Sequence, residues 1–350
     1  MKKVFGELSN GEIISVYTIS NKAGLTAEIL DYGAIVNKLF VPDRTGNVRD
    51  VQLGYDDIKS YEEGDKFFGA IIGRNANRIE NGKVTLDGVD YQMEINDNDH
   101  NLHSGSNGVD KKIWTALPQE SESVLTLMCK SNDMEQGLPG NVTITITYVI
   151  TEDNEFKIVY DAVTDKKTVI NLTSHMYFNL NGHYKGLIED HYVSINADRY
   201  NPVKDFMAIP TEEYAPVEGT VFDFRKPKKV GQDINADDEQ LKYVQGYDHN
   251  YIINGETGTL RSFATVYSEE SGINMELFSD QTGMQFYAGN CIGDTNGKGD
   301  FAYHSRSGLC FEPQYIPNAV NFIPEDSIDS PVYTPNEHYH SESIYKFTTK

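Results

Sequence analysis

Residues 141–150 read NVTITITYVI, and the alternation in that run constrains the chain more than any other feature. Apolar and polar side chains trade places over almost its full length. A period of two puts every second side chain on one face of an extended strand and cannot form a stripe on a helix. EFKIVYDAV (155–163) follows after the turn-like TEDN, so the two runs form an expected β-hairpin. KVTLDGVDYQMEI (83–95) gives a second hairpin, with Asp87-Gly88 at its turn. LRSFATVYS and MQFYAGNC read as further strands. Tyr (22), Phe (16) and Gly (29) are frequent, as strands and turns require.

Helical signals are sparse. DDEQLKYVQG (237–246) predicts one short helix ended by Gly246. No βαβ alternation, 20-to-50-residue repeat or low-complexity linker interrupts the 350 residues. So many strands cannot bury their inner faces in one flat sheet. The expectation is an all-β fold over residues 1–350, a large antiparallel β-sandwich in one domain with few short helices.

Charge narrows the partners. Fifty-three acidic residues against thirty basic ones leave a net charge of −23. Nucleic acid and anionic lipid both call for a basic surface and are excluded as partners. The three cysteines, Cys129, Cys291 and Cys310, are widely spaced without a CxxC pair, which argues against a disulfide framework. No apolar run follows Lys2 and Lys3, and none is long enough to span a membrane. A cytoplasmic location is expected.

Polar groups that break the strand pattern are the candidates for chemistry. In NLTSHMYFNL (171–180), read as one strand, Leu172, Ser174, Met176, Phe178 and Leu180 share a face. Asn171, Thr173, His175, Tyr177 and Asn179 share the other, with His175 at its centre. GRNANRIENG (73–82) carries Arg74, Asn77 and Arg78, and arginine is a natural reader of hydroxyls and carboxylates. NDNDHNLHSG (96–105) has the one-three-five spacing of a calcium loop. It offers Leu102 where glycine is needed and Gly108 where glutamate is needed, so calcium is rejected. QGYDHNYII places Asp248-His249 between tyrosines. In GLCFEPQYIPNAVN, Glu312 interrupts an apolar strand. A carboxylate there must be paired, protonated or functional, and one raised toward neutrality can serve as a general base.

Each feature has a plainer explanation: a solvated turn, an exposed histidine, a satisfied core group. Metal is not expected, since no HExxH occurs and His338-Tyr339-His340, which puts two imidazoles on one strand face, lies near the C-terminus in a charged, tail-like segment. No GxSxG, Walker A or GxGxxG motif is present, and NGKGD (296–300) is a lone glycine loop.

Taken in order, these stretches resemble the aldose 1-epimerase family over nearly the whole chain. FFGAIIGRNANRI, NLHSG, GVDKKIW with the only tryptophan (Trp114), NLTSHMYFNL, IPTEEYAPVEGTVFDFRKP, GYDHNY, MQFYAGN and EPQYIPNAVN follow the family pattern. The resemblance implies a large antiparallel β-sandwich, with Glu312 as general base and His175 as general acid. It implies Asn77, Arg78, His103, Asp248 and Gln285 as holders of sugar hydroxyls, with Tyr177 beside them and Phe286 or Tyr177 against the sugar ring. Departures are modest: Ser174 precedes the histidine where the family has asparagine, Ser104 stands in its LHGG motif, Glu212 in its IPTGE motif, and Asn318 follows EPQYIP. The implied reaction is interconversion of the α and β anomers of a free hexose, galactose or glucose, without cofactor or metal, by a monomer or homodimer. The alternatives are a hexose-6-phosphate epimerase, which would need an added basic cluster, and a non-catalytic carbohydrate-binding protein, which would have no use for Glu312 and His175 together.

Overall fold

The computed structural model describes residues 1–119 and 121–350. Its centre is a nine-stranded antiparallel sheet. In spatial order the strands are Thr115–Ala116, Val124–Ser131, Val142–Ile150, Glu155–Thr164, Tyr339–Thr349, Ile273–Ser279, Arg261–Tyr267, Tyr192–Ile195 and Lys228–Lys229. The 141–163 hairpin is there as read, with Ile146 opposite Tyr160 and Ile150 opposite Phe156. Its alternation has the expected consequence: Ile144, Ile146, Tyr148, Phe156, Ile158 and Tyr160 are buried, and the intervening positions are only partly so.

A six-stranded sheet covers the inner face. Its order is Tyr177–Phe178, Leu309–Gln314, Gly283–Tyr287, Asp248–Ile252, Arg199–Tyr200 and Ala215–Pro216. The two sheets meet through aromatic side chains. Phe178 lies 5.2 Å from Tyr345, and the Tyr345 hydroxyl reaches the Phe311 carbonyl at 3.5 Å. A five-stranded sheet, Lys2–Glu7 through Val48–Asp50, flanks them, with strands paired in sequence order. This is a β-sandwich, as the period-two pattern requires.

Local readings hold with some adjustment. The second hairpin pairs Lys83–Leu86 with Val89–Gln92, and Asp87 and Gly88 both take positive φ (50° and 77°), the backbone of a two-residue I′ turn. The expected helix spans Glu239–Val244. Asp238 caps its N-terminus, and Gln245, not Gly246, takes the left-handed C-cap. A second helix, Ile58–Glu63, capped by Asp57, escaped the sequence reading because six residues are too few to show a period.

The stretch 171–180 differs most. It is not one strand but two short ones, Thr173–Ser174 paired with Ile71–Ile72 and Tyr177–Phe178 paired with Leu309–Gln314. All ten residues are buried. The chain crosses between two partners here, so the ladder breaks at His175. Among the described residues no helix is long and apolar enough to cross a membrane.

Candidate active site

The six-stranded sheet has two unlike faces, and their difference builds the site. Glu312, Gln285 and Asn250 stand opposite one another on three adjacent strands, as do Cys310, Tyr287 and Asp248 one step along. Residues directly opposite share a face. The other parity carries Phe311 and Phe286, stacked at 5.3 Å in the core. Polar side chains therefore floor a cleft on one side while aromatic ones fill the sandwich on the other. Phe286, expected against the sugar ring, is fully buried on the core face and is excluded from the cleft.

The cleft has a volume of about 380 Å³, on the scale of one small ligand. It is lined by Asn77, Arg78, His103, His175, Tyr177, Asp248 and Glu312, seven of the eight expected residues. The eighth, Gln285, lies just beneath and donates Nε2–H to Asp248 Oδ1 at 2.6 Å. Arg74 goes elsewhere. Fully buried, it donates to Ser131 Oγ, to the carbonyls of Leu138, Pro139 and Asn132, and to Thr168 Oγ1. It ties loops together behind the cleft, whereas Arg78 opens into it and pairs with Asp97 at 2.8 Å.

His175 and Glu312 face each other. His175 Nε2 is 3.9 Å from Glu312 Oε1, and both side chains are almost fully buried. Glu312 Oε2 makes no hydrogen bond to any of the described residues. The His175 imidazole lies between two aromatic rings, Tyr177 at 4.9 Å and Phe67 at 5.8 Å, each within 25° of parallel. Backbone bonds fix that arrangement: Gly69 N–H donates to the His175 carbonyl, and His175 N–H donates to that of Ala70. Gly69 has φ +72°, and a Cβ there would sit 2.2 Å from the Val36 carbonyl oxygen, so only glycine permits this crossing.

Burial dominates the electrostatics. It pushes the His175 imidazole down to about 4 and Glu312 well above the usual carboxylate range. Asp248 adds to the rise at Glu312, and Arg78 opposes it. Asp248 is itself raised by burial, against the pull of Arg78 and the Gln285 amide. Glu312 and His175 together hold a single proton comfortably, and burial favours the arrangement in which neither is charged.

His103, His175 and Glu312 place donor atoms within 4.8 Å of one another, a set with the composition of some zinc sites. One hydrogen bond argues against a ligand role for His103. The Asn77 backbone N–H donates to His103 Nδ1 at 3.1 Å. The neutral ring must then carry its proton on Nε2, the atom that would face a metal. The His103 Nε2–H is thus left as a hydrogen-bond donor. Asn77 and His103 exchange a second bond, His103 N–H to the Asn77 carbonyl, which holds the two together.

Several lining residues were given no role in the site from the sequence: Asp65, Lys66, Phe67, Asn96, Asp97, Leu102, Tyr287 and Cys291. Phe67 had a faint signal in GDKFFG, an aromatic pair closed in by glycines. Tyr287 was readable by parity, since it lies two residues from Gln285 on the same strand.

Comparison with known proteins places the chain in a family. Residues 15–346 match the aldose 1-epimerase family. The chain is 37% identical over 349 residues to galactose mutarotase of Rattus norvegicus, covering 99% of this chain and 98% of the relative. It is 35% identical over 338 residues to aldose 1-epimerase of Escherichia coli, covering 97% and 96%. Among solved structures, galactose 1-epimerase from Lactobacillus acidophilus superposes with a TM-score of 0.86 at 27% identity, over 100% of this chain and 98% of that one. An aldose epimerase homologue from C. elegans gives 0.84 at 29%, over 95% and 98%. With the family matched across nearly its whole length, and with a polar cleft suited to a hydroxylated ligand, this chain belongs to the aldose 1-epimerase family.

Proposed function

We propose that Glu312 and His175 are the proton-transfer pair with which this aldose 1-epimerase interconverts the anomers of an unphosphorylated hexose, galactose or glucose. The facing of these two groups across 3.9 Å in a buried cleft carries the reading. Glu312, as carboxylate, takes the proton from the C1 hydroxyl. His175, as imidazolium, gives one to the ring oxygen. The C1–O5 bond breaks and leaves the open-chain aldehyde. Rotation about C1–C2 presents the other carbonyl face, and the same two transfers in reverse reclose the ring.

Ring opening converts carboxylate plus imidazolium into acid plus neutral imidazole. Burial favours that neutral product, so the desolvation that shifts both groups also assists the opening step. The two π faces around His175 act the other way and keep the imidazolium within reach. His103, through its fixed Nε2–H, together with Asn77, Arg78, Asp248 and Gln285, would hold the hydroxyls. Tyr177 would flank the sugar.

Charge supports a sugar without phosphate. Among the described lining residues both permanent cations are already paired, Lys66 with Asp65 at 3.0 Å and Arg78 with Asp97. Four carboxyl groups, Asp65, Asp97, Asp248 and Glu312, line the same cleft. A phosphate dianion would enter a site with no unpaired cation to receive it. Rates measured on α-D-galactose, α-D-glucose and glucose 6-phosphate test this. Catalysis of the free sugars alone is expected, and faster catalysis of the phosphate ester would overturn the substrate assignment.

A further inference from the structure

Strand pairing gives His338-Tyr339-His340 a carboxylate partner from a distant part of the chain, Asp161. Tyr339 is fully buried, so the strand it begins sends His338 and His340 outward together. The adjoining strand, Glu155–Thr164, sets Asp161 directly opposite His340. One Asp161 oxygen, Oδ1, lies 2.9 Å from His340 Nδ1 and 3.2 Å from His338 Nε2. The two imidazoles are about half exposed, at 54% and 57% of the side chain, with ring centroids 6.3 Å apart. Both imidazoles thus meet one carboxylate on two hydrogen-bonded strands at the middle of the nine-stranded sheet, on the face away from the sandwich core, with His338 just ahead of its strand.

We propose that His338, His340 and Asp161 form a surface binding site for a divalent transition-metal ion of the zinc, nickel or copper class. Two imidazoles and one carboxylate are a donor set these ions accept, with water completing the shell. Three features of the chain favour it. The rings are exposed, so binding costs little desolvation and the side chains can turn to bring their nitrogens onto one ion. Strand pairing fixes His340 opposite Asp161, and His338 stands just before that strand. The net charge of −23 draws cations toward the surface generally. The ion would clamp the strands Glu155–Thr164 and Tyr339–Thr349 together, and so bind the folded state and raise its melting temperature. This site has no part in sugar chemistry, because the sheet's buried face separates it from the cleft.

Equilibrium dialysis of the tag-free full chain against Zn²⁺ at pH 7.5, in a buffer that does not coordinate metal, provides the test. One saturable site is expected, weakened at least tenfold by His340→Ala and by His338→Ala. Glu312→Gln should leave it unchanged, and saturating galactose should not displace it. Zn²⁺ should raise the melting temperature of the wild type but not of His340→Ala, and His340→Ala should mutarotate sugar at the wild-type rate. With Cu²⁺ as probe, electron paramagnetic resonance should show coupling to two nitrogens that falls to one in either histidine variant. Absence of saturable Zn²⁺ binding overturns the proposal. So does binding that survives His340→Ala, or binding lost with Glu312→Gln or on adding galactose, since those would place the ion elsewhere.

Discussion

Replacing Glu312 with glutamine removes a proton acceptor while changing almost nothing else. The two side chains share shape and volume. Glu312 is 2% exposed, and its Oε2 has no hydrogen-bond partner among the described residues, so the amide breaks no bond seen there. Gln285 Oε1, on the register-opposite residue, is an unpartnered acceptor that the new amide can use. A positioned base is worth ~10²–10⁴-fold, or about 3–5 kcal/mol of barrier. The loss should therefore fall on turnover, with sugar affinity largely kept. Stability should move the opposite way. The folded carboxyl is raised above its unfolded value, so its contribution is full at low pH and is lost as pH rises through the folded value. Glutamine does not titrate, and at pH 8 the variant should melt no lower than the wild type. Polarimetry of freshly dissolved α-D-galactose with wild type, variant and buffer alone measures the rate, and a thermal melt measures the fold. A folded Glu312→Gln protein that mutarotates at the wild-type rate would refute the assignment of the base.

Three further substitutions follow from the same electrostatics and hydrogen bonding. Arg74→Met should cost about 3 kcal/mol or more in denaturant unfolding, since it strips three carbonyls and two hydroxyls of a buried donor. Arg78→Met, which loses one ion pair, should stay within about 1 kcal/mol of wild type and raise KM; equal destabilisation by both would contradict their separate placement. Burial pushes the Asp110 carboxyl up to about 7 from its ordinary 3.8, so the wild type loses stability as pH rises between those values. Asp110→Asn lacks that loss, and its advantage over wild type should widen by up to about 4 kcal/mol between pH 4 and 8. A gap that stays constant with pH would show that the carboxyl is not held out of water.

Alternation along the chain was enough to establish a β-sandwich, because a period of two leaves one apolar face per strand that must be covered. Both hairpins and the short 239–244 helix were legible for the same local reason: turn and cap chemistry is written in adjacent residues. Parity also held information that the motif reading overlooked. Once Gln285 is assigned to the polar face, Phe286 must turn into the core and Tyr287 must return to the cleft. The break at His175 was hidden, since nothing within 171–180 says that its two halves pair with strands at Ile71–Ile72 and Leu309–Gln314.

What no local pattern could supply was company. Arg74 and Arg78 look alike in sequence, and only the packing decides that one is a buried tie and the other a cleft wall. Phe67 reaches His175 because two backbone hydrogen bonds draw Gly69 and Ala70 against it from a hundred residues away in the chain. The tautomer of His103 depends on a single N–H from Asn77. Strand pairing alone sets Asp161 beside His340. Each of these rests on a contact between distant residues, and such contacts follow from strand order and register, which the alternation by itself leaves free.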